Sequence, residues 1–358
     1  MAGNSFGTLY KISTFGESHG EAIGGVIEGF PSNFEIDMNN ILLELKRRST
    51  NQGIFSSERK ENDTLEILSG VFEGKTLGTP IGFMIRNTNA ISKDYKELKD
   101  IYRPSHGDYT YEKKYIHRDH RGGGRASARE TTSRIVGGAF AKQFLKSKGI
   151  EINAWVNKIY NIAATNDDNV SFEQIESSPL RCPDTNAESL MLEEINKAKK
   201  EGDTLGGIIR CRITGLNAGI GEPVFDKLNA KLAHAMMSIN AAKGFELGSG
   251  FNSTKMKGSE HNDEFIIKDR NITTKTNNSG GIQAGISNGE PILFNTAFKP
   301  IASISKNQQT INKDSESVSI SIMGRHDVCV VPRAVPIVEA MAAMVIMDYL
   351  LIANKETK

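Results

Sequence analysis

Short runs in which apolar and polar residues alternate recur along the whole chain. Thr8–Ser13, Ala22–Gly29, Leu65–Val71, Pro80–Arg86, Ile150–Val156, Leu205–Thr214, Pro291–Ala297 and Val318–Ile322 read as strands. Many follow one another without a helix long enough to return the chain for parallel pairing, which predicts antiparallel sheets. Elsewhere a 3.6-residue period takes over. Asp37 caps a helix predicted over Asn40–Arg48, Ser127–Ser147 stops before Gly149, and Met191–Glu201 stops at Gly202. Asp226–Ile239 carries its apolar residues on one face, and Pro336–Ala353 starts with proline in the first turn, where the missing N–H costs nothing. Long helices mixed with paired strands predict the α+β class. The polar stretches Asn166–Asn169 and Lys306–Ser317 read as loops, and no linker divides the chain.

A length of 358 residues allows roughly two domains or one large core, and needs no disulfide or metal for folding. Lys and Arg total 44 against 43 Asp and Glu, a net charge of +1. That balance argues against a dedicated nucleic-acid binder while leaving room for a local basic pocket. Cys182, Cys211 and Cys329 form no CxxC pair, which argues against a disulfide framework or structural zinc and for a reducing, cytoplasmic setting. The first residues show no signal pattern. The apolar run Ala340–Met347 ends at Asp348, short of the ~20 residues that span a bilayer, so no membrane association is predicted.

Three segments concentrate chemistry. Gly16-Glu17-Ser18-His19-Gly20 ends a predicted strand and reads either as an accessible proton-transfer histidine or as an exposed turn. The stretch from Arg103 to Arg134 holds His106, His117, Arg118, His120, Arg121, the glycines 122–124, Arg125, Ser127, Arg129 and Glu130. Glycines entering a helix present N–H groups to an anion, and neighbouring arginines add bidentate donors; a solvated charged surface is the alternative. Gly324-Arg325-His326-Asp327 forms either a catalytic corner or a loop ion pair. Gly70–Thr76 falls one residue short of a phosphate loop and reads as a turn. His117 and His120 lack the carboxylate or cysteine set that would complete a metal site, so no metal is predicted. The smaller segments Ser238–Gly244, Asn277–Gly289 and Lys299–Ser303 offer polar groups and close backbone approach to a ligand. Together these residues suggest an enzyme for a multiply anionic small molecule, using two histidines and an aspartate.

Taken as ordered blocks, these segments resemble the chorismate synthase family. The FGESHG block at Phe15–Gly20, the RGGGRxSARET block at Arg121–Thr131 and the GRHD…RAVPIVEAM block at Gly324–Met341 match, within a likeness running from Gly3 to Asp348. The resemblance implies a single domain over residues 1–358, built as an α+β sandwich of two antiparallel sheets flanked by helices, and a homotetramer. It implies a lyase of the shikimate pathway to aromatic amino acids. Members convert 5-enolpyruvylshikimate 3-phosphate to chorismate and phosphate by 1,4-anti elimination, with reduced FMN and no net redox change. By motif, His19 protonates the departing phosphate, His106 protonates the reduced flavin near N1, and Asp327 assists proton transfer at N5. Arg48, Arg103 and Arg129 pair with the substrate's anions. Arg125, Ala126, Ser127, Asn240, Ala241, Ala284, Lys299, Pro300, Ile301, Ala302, Ser303 and Arg325 hold FMN.

The chain departs from the family pattern at Ile54, where a second arginine is common, at Ala126 (serine) and at Ala284 (glycine). The first change removes an anion contact, or a nicotinamide-related one, from the Arg48–Phe55 loop. Fungal members carry an NADPH-dependent flavin reductase activity, whereas bacterial and plant members depend on external flavin reduction; the dependent type is expected here. The loops Arg47–Asn62 and Lys306–Ser317 are expected to order on FMN binding. Two other classes compete. An RNA-binding module would show steep salt dependence, and a flavin oxidoreductase would consume reduced flavin stoichiometrically.

Overall fold

The computed structural model describes residues 3–49, 63–88, 98–165, 168–322 and 327–356. In the N-terminal part, β1 (Ser5–Phe6), β2 (Lys11–Phe15) and β3 (Ala22–Glu28) precede helix α1 (Met38–Arg48). Then come β4 (Leu65–Ile67), the small hairpin β5 (Val71–Phe72) and β6 (Lys75–Thr76), and β7 (Ile81–Arg86). An antiparallel sheet forms in the order β1-β2-β3-β7-β4. The phosphate-loop look-alike is the β5–β6 hairpin. Its turn residues Glu73 and Gly74 have φ of 49° and 76°, the left-handed pair that a tight two-residue turn requires.

Helices α2 (Asp108–Tyr115) and α3 (Thr131–Ser147) follow, then β8 (Glu151–Ile159), β9 (Ile162–Ala163), α4 (Phe172–Ser177), α5 (Thr185–Glu201), β10 (Gly207–Thr214), α6 (Leu228–Met237) and β11 (Ala242–Leu247). After α7 (Gly258–His261) come the hairpins β12 (Phe265–Lys268) with β13 (Asn271–Thr274) and β14 (Ile282–Gln283) with β15 (Ile286–Ser287). The chain ends with β16 (Ile292–Phe298), the hairpin β17 (Gln308–Ile311) and β18 (Ser317–Ile320), and α8 (Val331–Glu356). The second five-stranded sheet, also antiparallel, has the order β11-β16-β10-β8-β9. Residues of β16 alternate strictly between buried and half-buried, as one covered face requires.

The α+β class and the two antiparallel sheets are as expected, but the principal helices lie between the sheets. α3 packs on β2 and β3, α8 packs on β8 and β10, and the two helices pack on each other. Two glycines in mid-helix, which cost about 1 kcal/mol each relative to alanine, permit this closeness. A Cβ at Gly138 would fall 2.2 Å from Ala340 Cβ, and one at Gly137 2.8 Å from Ile12 Cδ1 and 3.1 Å from Met344 Sδ. One apolar cluster therefore runs from Ile23 and Phe83 in the first sheet, through Phe140 and Val338, to Cys211 and Phe294 in the second.

α8 is long and apolar enough to cross a membrane, yet 83% of that stretch is buried by the surrounding layers, as in a core helix. Its Asp348 interrupts no helix: the carboxylate accepts the N–H groups of Thr8, Leu9 and Tyr10 at 2.8, 2.6 and 2.9 Å. The helix starts five residues before the expected Pro336, which sits in its interior. Strand β2 lies later than Thr8–Ser13, α3 begins at Thr131 after two short 3₁₀ turns, and the expected loop 306–317 contains β17.

Candidate active site

The turn between β2 and β3 carries the first histidine. Gly16 (φ 98°) starts it, where a Cβ would strike Ala22 O at 2.3 Å. Asn87, just beyond β7, donates its side-chain amide to Glu17 O and Gly20 O at 2.9 Å each. His19 is 6% exposed, buried rather than accessible. Its Nδ1 lies 3.1 Å from Ser18 Oγ. The reason for burial is the glycine run: a Cβ at Gly122 would fall 2.2 Å from His19 Cε1.

The second histidine stands over the next glycine, since a Cβ at Gly123 would lie 3.1 Å from His106 Cε1 and 3.2 Å from Nε2. Gly122, Gly123 and Gly124 have φ of 61°, 91° and 54°, conformations that only glycine adopts freely. His106 Nδ1 is 3.1 Å from Asp108 Oδ1, a close contact that is not an aligned hydrogen bond. Arg103 grips Asp108 bidentately, through Nε at 2.7 Å and Nη2 at 2.8 Å, and Arg118 adds a contact at 3.3 Å. Burial alone would raise the Asp108 pKa; the bonds from Arg103 and the contact with His106 outweigh it and hold the carboxyl well below the usual range. Arg103 is thus oriented by a carboxylate of its own chain, which, among the described residues, leaves its Nη1 for an incoming anion.

The remaining arginines form a chain of contacts. Asn87 Oδ1 accepts from Arg129 Nε at 3.0 Å. Asp63 bridges Arg129 Nη1 at 2.5 Å and Arg48 Nη2 at 3.4 Å. Arg333 Nε donates to Arg48 O at 3.2 Å, and its Nη1 pairs with Asp327. All four arginines (48, 103, 129 and 333) are buried. One network therefore joins the Glu17–Gly20 turn that carries His19, through Asn87, to Arg129, Asp63, Arg48, Arg333 and Asp327.

Beside His106 lie two adjoining hollows of about 420 and 480 Å³, which share Tyr111, Tyr115, Arg125 and Ala126 in their walls. Arg125 is held by Thr14 O at 2.8 Å, and Asn240 donates to Ala126 O at 2.9 Å while its buried Oδ1 has no partner among the described residues. Ser127 Oγ accepts the Arg129 N–H at 3.3 Å. Lys299 donates its N–H to Ala241 O at 2.9 Å and its Nζ to Ser105 O at 2.8 Å. Burial, then Lys243, pushes the Lys299 pKa down. Pro300–Ser303 continue from there, with Ile301 O accepting from Thr204 at 2.8 Å.

Ala284 lines neither hollow. It forms the left-handed turn of β14–β15 against the start of α6, where Leu228 N donates to Gly285 O at 2.9 Å. Ten residues of chain separate Leu228 from Ser238 at the far end of that helix, about 15 Å at helical rise. Arg325, His326 and Ile54 lie outside the described residues. Sequence reasoning missed Asn87, Asp63 and Arg333. Arg333 stands inside a matched motif, whereas Asn87 and Asp63 have no local signature. Among the described residues, no group of three or more His, Cys, Asp or Glu is placed to hold a metal.

Buried arginines, two histidines seated on a glycine loop and a hollow with aromatic and cationic walls define an enzyme acting on a small polyanion. Residues 10–351 match the chorismate synthase family model. The chain is 55% identical to chorismate synthase of Christiangramia forsetii over 359 residues, with 100% of both chains covered. It is 54% identical to that of Flavobacterium psychrophilum and 53% identical to that of Bacteroides fragilis, each with 98% of both chains covered. A crystal structure of chorismate synthase superposes with a TM-score of 0.76 at 32% identity, covering 97% of this chain and 93% of that one. The chain belongs to the chorismate synthase family, carbon–oxygen lyases of the shikimate pathway.

Proposed function

We propose that this chain performs the chorismate synthase reaction, the elimination of phosphate from 5-enolpyruvylshikimate 3-phosphate, with the residues assembled above. The observation that carries the proposal is the seating of His19 and His106 on adjacent glycines, Gly122 and Gly123. Two imidazoles are thereby held a fixed distance apart across one rigid loop.

FMN fits the hollows. Their walls supply tyrosine rings, the Arg125 guanidinium and the open backbone of Gly123 and Gly124, and the unpartnered Asn240 Oδ1 awaits a donor. Arg125, Ala126, Ser127, Asn240, Ala241, Lys299 and Pro300–Ser303 would hold it. When bound in reduced form, it supplies electron density that assists phosphate departure and accepts the C6 hydrogen.

The protein's own part is proton transfer and anion placement. His19 donates a proton to the departing phosphate oxygen. His106, its ring set by Asp108, which stays ionised, would supply a proton to the flavin's N1 when FMN is bound. Asp327, held by Arg333, would assist proton transfer at the flavin's N5. Arg48, Arg129 and Arg333 receive the phosphate and two carboxylates. Burial strengthens each such contact, because a charge-assisted bond is worth more away from water.

Residues 1–358 act as one domain in this reading, supported by the core cluster that crosses both sheets. A homotetramer is supported by the β12–β13 hairpin, which leaves Phe265, Ile267 and Ile272 exposed although a lone hairpin is marginal in water. We place the enzyme in the cytoplasm, with flavin reduced by an external reductase or reductant.

The test is anaerobic phosphate release from 5-enolpyruvylshikimate 3-phosphate, with chemically reduced and, in parallel, oxidised FMN, following chorismate by absorbance. Many turnovers per flavin, seen only with the reduced form, are expected. Stoichiometric consumption of reduced flavin would make the chain an oxidoreductase instead.

A further inference from the structure

The last four carbonyls of a helix have no partner within it. At the end of α1, Ser49 N–H serves Leu45 O and Lys46 O at 3.1 Å each. Arg47 O and Arg48 O remain. In α8 the proline at 336 has no N–H, so Pro332 O, one turn earlier, loses its helical donor.

One side chain supplies two of these three needs. Arg181 donates Nη2 to Arg47 O at 3.0 Å and Nη1 to Pro332 O at 2.6 Å. The third carbonyl, Arg48 O, is served by Arg333. Arg181 is 6% exposed, with a φ of 56° that a non-glycine residue rarely adopts. Its Nε donates to Glu176 Oε1 at 2.9 Å, and the same oxygen receives Arg47 Nη2 at 2.8 Å. Arg47 and Pro332 are the residues immediately before Arg48 and Arg333.

We propose that Arg181 is a positioning residue for substrate: its guanidinium spans the end of α1 and the start of α8 and sets the separation of Arg48 and Arg333. The inference rests on the reading of those two arginines as anion contacts. Arg181 itself reaches neither substrate nor flavin. Its planar fork matters because two carbonyls on different helices must be served at once; a lysine ammonium lacks that fixed geometry. The proline explains why the second carbonyl is available to it.

The test compares Arg181→Lys, Arg181→Met, Arg48→Met and Arg333→Met in the full chain, measuring KM for 5-enolpyruvylshikimate 3-phosphate, kcat, FMN affinity and Tm. Both Arg181 variants are expected to raise KM roughly tenfold or more by letting Arg48 and Arg333 shift out of register with the substrate's anions, with FMN affinity within about twofold. Adding Pro336→Ala restores the N–H that Pro332 O lacks, and should recover part of the KM in either background. A lower Tm with unchanged KM, or no recovery from Pro336→Ala, would make Arg181 merely structural. If Arg181→Met does not fold, the lysine variant with and without Pro336→Ala carries the same comparison. Should Arg48→Met and Arg333→Met leave KM unchanged, the anion-contact reading fails. Should they raise KM while the Arg181 variants do not, only the present proposal fails.

Discussion

Gly122→Ala separates the two things the glycine loop does. The methyl group would sit 2.2 Å from His19 Cε1, 2.3 Å from Nδ1 and 2.9 Å from Ser18 Oγ. Ordinary carbon contacts begin near 3.5 Å, so the ring must move by about 1 Å. Displacement of a reacting group by that distance costs on the order of 10²-fold in rate, or about 3 kcal/mol. The left-handed φ of 61° adds a stability cost of about 1–2 kcal/mol for any side chain. Gly123→Ala carries a larger backbone cost, since φ 91° lies beyond the left-handed region open to L residues, but its methyl group would meet His106 Cε1 at 3.1 Å, a clash relieved by a few tenths of an ångström. Gly123→Ala should therefore lose at least as much stability as Gly122→Ala but far less activity. The assay is kcat for anaerobic chorismate formation with reduced FMN, alongside Tm for each variant. Equal kcat values in the two variants would refute the placement of His19 by Gly122.

Three further outcomes are expected. His106→Ala should cut turnover by on the order of 10² or more while FMN binding, followed by flavin fluorescence, is retained; unchanged turnover would remove His106 from the mechanism. Asn240→Ala should weaken FMN roughly tenfold by deleting the buried Oδ1 and the bond to Ala126 O, and fluorescence titration reads it directly. Glu339→Gln should destabilise the fold by about 3 kcal/mol, because the buried cations Arg47 and Lys142 would be left with only Glu44 between them and Glu176 on Arg47. Burial alone would raise the Glu339 pKa, but those two cations bring it down to about 2. A depressed carboxyl stabilises the fold above its unfolded value of ~4.3 and loses that contribution as pH falls through the folded value. Between these values wild-type stability should fall more steeply than that of the variant; parallel acid-unfolding curves would contradict the assignment.

What the sequence made legible was local. The turn containing His19, the loop containing His106 and the glycine run carry their identity within a few consecutive residues. The strand alternation was equally direct. The position of α8 was also available, since a helix apolar on nearly every side belongs inside a fold, which places helices between the sheets rather than around them. Its proline misled the boundary, because proline usually marks a first turn and here is tolerated inside, where Arg181 serves the carbonyl it strands. Asn87, Asp63 and Arg181 had no such signal. Each owes its role to partners distant in the chain, such as Asn87 on Arg129 and Arg181 on Pro332, so nothing in their flanking residues distinguishes them from surface polar residues.

The pair Arg47-Arg48 shows why residue type alone could not apportion these roles. Adjacent helical positions point about 100° apart. Arg47 turns into a buried cluster, bonding Glu44 at 2.8 Å, Glu339 at 2.6 Å and Glu176 at 2.8 Å. Arg48 turns toward Asp63 and the arginines of the site. The first is matched by carboxylates fixed in the core, and burial of that kind contributes specificity of placement more than net stability. Among the described residues, the second shares the carboxylate of Asp63 with Arg129. In the proposed reading, a substrate anion entering there meets guanidinium groups already buried, so it need not bear the whole cost of stripping water from them. Affinity then depends on whether its three anions reach Arg48, Arg129 and Arg333 together. The scaffold under Arg47 and the strut at Arg181 hold that spacing.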